Sequence, residues 1–88
     1  MDEKTQYLAL TSEIIAKQSI ILGPDIAILR ARSVNDLTVS DDGNVTDIDG
    51  DPKIVLQKLV NTYVELSGMI VKNALGSIFE KYPGIKNV

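Results

Sequence analysis

Asp47, Asp49 and Asp51 stand at alternate positions, the spacing of the first half of a calcium-binding loop. In such a loop the sixth position must be glycine for the sharp turn and the twelfth a bidentate glutamate. Here those positions hold Pro52 and Lys58. No metal and no cofactor are therefore expected, and the acids read as solvated turn and cap residues. A second polar series, Thr11, Gln18 and Asp25, is spaced by seven. With Tyr63 and Lys81, Gln18 and Asp25 could grip a small ligand between helices. The competing reading makes the series polar seam positions that fix helix register and oligomeric state, with Asp25 alternatively a helix start.

No catalytic residues are expected, and the chain does not read as an enzyme. It has no His and no Cys, which removes imidazole bases, thiol nucleophiles, thiolate zinc sites and disulfides. Ser12, Ser19, Ser33, Ser40, Ser67 and Ser77 thus lack the usual base, and no motif marks a Ser–Lys pair. Gly43 and Gly50 do not form a phosphate-binding loop, because the required G-x-x-x-x-G-K-[ST] is missing.

The elements that would carry these residues follow from periodicity. Tyr7, Ile14, Ile21 and Ile28 form one heptad column, and Leu8, Ile15, Leu22 and Leu29 the adjacent one. Seven residues are close to two helical turns, so the columns predict a helical arm over 3–32 with an apolar seam. Thr11, Gln18 and Asp25 fall between them. Gly23-Pro24 interrupts the arm, either as a kink or as a turn between two helices. The heptad phase runs through it unbroken, which favours nearly collinear segments.

Residues 37–48 predict a β-hairpin. Leu37-Thr38-Val39-Ser40 and Val45-Thr46-Asp47-Ile48 are rich in β-branched residues and flank Asp41-Asp42-Gly43-Asn44. With Asp42-Gly43 at the tip, Leu37 should face Ile48 and Val39 should face Thr46. Asp51-Pro52 then reads as an N-cap followed by a first helical residue. It opens a second helical arm over 52–82, stopped by Pro83-Gly84, with Gly68 and Gly76 as weak points. Its stripe is Leu56, Val60, Tyr63, Ser67, Ile70, Ala74 and Ile78, with Lys81 at its end.

Nine Lys/Arg against twelve Asp/Glu give a net charge of −3. That argues against nucleic-acid binding, which needs clustered bases. Residues 33–52 hold six aspartates and no Lys or Arg. No apolar run approaches the ~18 residues of a membrane span, so no membrane association is expected. The N-terminal Asp2-Glu3-Lys4 does not read as a signal peptide, and the lack of cysteine suits a cytoplasmic protein.

The run Asp42-Gly43-Asn44-Val45-Thr46-Asp47-Ile48-Asp49-Gly50-Asp51-Pro52, followed by Leu56, Leu59, Val60, Tyr63, Leu66 and Gly68, resembles a pattern in small uncharacterised prokaryotic proteins, chiefly archaeal. That resemblance brings a turn, a cap and a helix stripe, but no activity. The helix–hairpin–helix order is similar to that of a prefoldin β-type subunit, with much shorter helices, and serves only as a structural analogy.

The expected fold is a single mainly α domain over 1–88. It is a helix–β-hairpin–helix protomer with antiparallel arms, closing its seams in a two-fold helical-bundle homodimer. The seam would comprise Tyr7, Leu8, Ile14, Ile15, Ile21, Leu22, Ile28, Leu29, Leu56, Val60, Tyr63, Ile70 and Ile78. The alternative is a four-helix monomer broken at Gly23-Pro24 and Gly68. The expected function is a small non-enzymatic dimeric interaction or adaptor protein, with an unknown protein partner possible. The alternative is a small-molecule sensor using Gln18, Asp25 and Tyr63.

Overall fold

A computed structural model describes residues 3–68, 76, 78 and 80–82. Helix α1 spans Glu3–Leu22, α2 Pro24–Arg32, strand β1 Leu37–Val39, β2 Val45–Ile48 and helix α3 Pro52–Ser67. The protein is thus mainly helical, with a two-stranded antiparallel hairpin between α2 and α3.

The first arm is not straight. Thirty helical residues in line would measure about 45 Å, whereas the longest dimension of the protein is 30 Å. The chain turns at Gly23, whose φ of 90° and ψ of 146° leave the helix. Pro24 has no N–H to return to the preceding turn, so α1 cannot continue through it. Gly23 links the two helices instead: its N–H closes on Ser19 O at 3.0 Å, and its carbonyl accepts from Ala27 N at 3.0 Å. Pro24 then becomes the first residue of α2. The collinear reading is therefore corrected, because periodicity cannot register a change of direction.

The turn resets the wheel. Tyr7, Ile14 and Ile15 are buried, and Leu8, Leu22 and Ile28 pack partly buried against the core. Ile21 and Leu29, expected in the seam, are exposed. On α2 the inward residues are the small Ala27 and Ala31, which let the helix approach its neighbours closely.

The hairpin pairs Leu37 with Ile48 and Thr38 with Asp47, then slips so that Val39 pairs with Val45. Val39 was expected opposite Thr46. The slip leaves Thr46 as the extra residue of a bulge and turns both Val45 and Ile48, three apart, into the core. Regular register would have placed one of them in water. The turn closes with Gly43 N–H to Ser40 O at 3.0 Å. Gly43 has a φ of 88°, and a Cβ there would sit 3.3 Å from Ile15 Cγ2 and 3.7 Å from Ile28 Cγ1. Glycine thus allows the hairpin tip to rest on α1 and α2 together.

Helix α3 starts as its sequence predicts: Pro52 is its first residue and the Asp51 carboxylate accepts from Lys53 N at 3.0 Å. It presents Val55, Leu56, Leu59, Val60 and Tyr63 to the core. It ends at Ser67, where Gly68, at a φ of 58°, returns its N–H to Val64 O at 2.8 Å. The arm expected to run to about Tyr82, with Gly68 as a weak point, is interrupted there, where the missing Cβ makes a positive φ accessible. Ile70 and Ala74 of the expected stripe, and Pro83-Gly84, lie outside the described residues. Ile78 is buried in the core and Tyr82 packs partly against it.

Candidate functional site

Three polar side chains of the expected ligand site have separate fates. Gln18 is fully buried, and neither its amide nitrogen nor its amide oxygen has a hydrogen-bond partner. Tyr63 is also fully buried, and its hydroxyl donates to Ala27 O at 2.6 Å. Burial pushes its phenol well above the usual 10.0, so it stays neutral and acts as a strut between α3 and α2. Asp25 is exposed on the first turn of α2, in a shallow groove with Ile28, Leu29, Arg32 and Asp41. Lys81 lies 3.5 Å from Glu13, which also accepts from the Tyr82 hydroxyl at 3.0 Å. Thr11, the third member of the heptad-spaced polar series, is satisfied within its own helix, donating to Tyr7 O at 2.7 Å.

The acids of residues 33–52 are occupied by the fold. Lys4 of α1 meets Asp47 at 2.8 Å, Arg32 of α2 meets Asp41 at 2.8 Å, and Lys58 of α3 meets Asp36 at 3.2 Å. Arg32 also donates to Val39 O from Nε and Nη2, at 3.3 and 3.1 Å. Each helix thus sends one base to the acidic stretch. Asp42 accepts from the Ser40 hydroxyl, and from Asn44 N and Nδ2, both at 3.1 Å, bracing the turn. The Ser40 hydroxyl, foremost, holds the Asp42 carboxyl below the usual value, and Lys4 does so for Asp47. Asp49 is fixed through its backbone N–H, which donates to Asp36 O at 2.8 Å. Among the described residues, Asp47, Asp49 and Asp51 do not converge, and no group of three or more acids could hold a metal ion.

A feature missed by the heptad reading is a set of exposed aliphatics on either side of Gly23. Ile20 is 82% exposed, Ile26 46% and Leu29 63%, and Ile21 is also exposed. All four lie within six residues of Gly23. Ile20 and Ile26 belong to neither heptad column, and that second apolar set was the available signal. An open polar groove was missed too. It is lined by Ser33, Asn35, Asp36, Lys58, Asn61 and Glu65, between the loop after α2 and the outer face of α3. Lys58, Asn61, Thr62 and Glu65 share one face of α3 at helical spacing, the signal that could have announced it, whereas Ser33, Asn35 and Asp36 come from a loop with no period. No helix among the described residues is long and apolar enough to cross a membrane.

No family model, curated protein or solved structure matches the chain. Its function is therefore argued from its own geometry.

Two outcomes follow from the site. A buried amide without partners costs roughly 1–3 kcal/mol, whereas an apolar side chain of similar shape does not carry that cost. Gln18→Met should therefore raise unfolding stability by about 1–2 kcal/mol, read as a higher urea midpoint at unchanged slope. A lower midpoint would show that the amide is paired. The second outcome concerns acid. Asp42 and Asp47 have lowered folded pKa values, so the stability they contribute is present above about pH 4 and is lost as pH falls through those values. The melting temperature should fall on the acid side of about pH 4, and Asp47→Asn should flatten that fall.

Proposed function

We propose that the protein is a small non-enzymatic interaction module that works as a homodimer, with the exposed aliphatics around Gly23 as its contact surface. The observation that supports this is the exposure of Ile20, Ile21, Ile26 and Leu29 on both sides of one turn. Single exposed aliphatics are ordinary, whereas four within ten residues of chain suggest an interface. An 88-residue chain also gains more from self-association than a larger one, because it buries a smaller share of its surface alone. The acidic balance speaks against a nucleic-acid partner, and the cysteine-free composition supports a cytoplasmic setting.

The contact surface differs from the continuous seam expected from sequence. Tyr7, Ile14, Ile15, Leu56, Val60, Tyr63 and Ile78 are consumed inside the protomer, leaving Ile21 and Leu29 of the heptad columns on the outside. A second reading, a small-molecule-binding module, draws on Gln18: a ligand's polar group entering between the helices would complete its unpaired amide.

Light scattering over a concentration series tests the dimer. The native chain should approach twice its 9.6 kDa as concentration rises. The double variant Ile20→Lys, Leu29→Lys should keep the native circular dichroism and remain at 9.6 kDa, because both side chains are exposed in the protomer. A native chain that stays monomeric would sink the reading, and a variant that still dimerises would move the surface elsewhere.

A further inference from the structure

The outward face of α2 has the order of a parallel two-stranded coiled-coil heptad. Ala27 and Ala31 point inward and are fully buried, while Asp25, Ile26, Leu29 and Arg30 are all exposed. At 100° per residue, Ile26 and Leu29 lie side by side on the outer face, with Asp25 flanking one side and Arg30 the other. In heptad terms Asp25 is g, Ile26 is a, Leu29 is d and Arg30 is e. A β-branched residue at a with Leu at d is the combination that favours two parallel strands. The charges agree with it. In a parallel pair the g residue of one helix lies beside the e residue five positions on in its partner. Asp25 and Arg30 are five apart and opposite in sign.

Among the described residues neither charge forms an ion pair. The ion pairs among the described residues are Lys4–Asp47, Arg32–Asp41, Lys58–Asp36 and Lys81–Glu13. Asp25 and Arg30 take part in none of them. An antiparallel pairing would set Asp25 against Asp25 and Arg30 against Arg30, so the charge order selects the parallel one.

Building on the homodimer reading, we propose that two copies of this chain pair through α2, parallel, about a two-fold axis along the helix direction. Ile26 meets Ile26 of the partner subunit, Leu29 meets Leu29 of the partner subunit, and two reciprocal Asp25–Arg30 bridges flank them. The protomer core holds α2 in place, so this single heptad does not have to fold the helix, only to recognise its copy. The apolar pairs supply attraction, and the charges set direction and exclude other alignments. Nine residues make a small contact, and the dimer dissociates on dilution.

The chain has no cysteine, so one introduced thiol reports on the geometry. Ile26→Cys places one thiol at the axis, and Ile54→Cys places one of comparable exposure on α3 as a control. Both are oxidised under the same mild conditions at a concentration where the native chain is dimeric by light scattering. Disulfide-linked dimer should form at least ten times faster for Ile26→Cys than for Ile54→Cys. Adding Asp25→Arg should remove that advantage, and adding Arg30→Asp as well should restore it. Equal rates for the two thiols, in a chain that does dimerise, would overturn the parallel α2 pairing and leave the homodimer standing. A chain that is monomeric at every concentration would overturn both.

Discussion

The core of this protein is organised on one face of α1. Tyr7, Leu10, Thr11, Ile14, Ile15 and Gln18 are all buried there. Helices α2 and α3 and strand β2 each contact α1. The hairpin meets it through Gly43, which sits against Ile15, through the Ser12 hydroxyl, which accepts Val45 N–H at 2.9 Å, and through the Lys4–Asp47 ion pair. The same hydroxyl donates to Leu8 O at 2.8 Å, so one serine serves both helix and strand. This arrangement depends on the turn at Gly23. Without it, Ile15 and Ile28 could not both approach the hairpin tip. The face also carries a desolvation cost, since the fully buried Gln18 amide has no partner on it.

The distribution of charge follows from the same arrangement. The acidic stretch between residues 33 and 52 is unbalanced along the chain, and half of its six aspartates are paired in space by Lys4, Arg32 and Lys58, one from each helix. These pairs are solvent-exposed, and such pairs are worth roughly 0–1 kcal/mol each. They orient the hairpin on the helices more than they hold it there. The exception is Arg32, which also donates to a strand carbonyl and so ties the end of α2 to β1.

What was legible in the sequence was local. Asp51-Pro52 announces the start of α3, and Gly43 announces the hairpin turn, because one or two residues settle those conformations. What was not legible needed the whole core. The slip at Thr38/Val39 exists because Val39, Val45 and Ile48 must all reach the same interior. The wheel drawn from Tyr7 to Leu29 has the right phase over Tyr7, Ile14 and Ile15 and loses it at the end of α1, so that Ile21 and Leu29 emerge into solvent on either side of Gly23. Counting by sevens also selects a narrow seam, whereas a core helix buries a broader stripe that takes in Leu10 and Val55. Of the three polar candidates, Gln18 and Tyr63 are interior and Asp25 is on the surface. Which interior group finds a partner depends on backbone placement: Tyr63 reaches the Ala27 carbonyl, and Gln18 reaches none.

The central claim is that the outer face of α2 is covered by a second copy, and methyl relaxation reads that cover directly. With isoleucine and leucine methyls labelled in the native chain, a soluble nitroxide is titrated in at high protein concentration. If the face is paired, the Ile26 and Leu29 methyls should be shielded nearly as well as those of the buried Ile14, while the exposed Ile54 methyls relax strongly. Ile26 and Leu29 relaxing as strongly as Ile54 would contradict the claim, because the face would then be open to solvent.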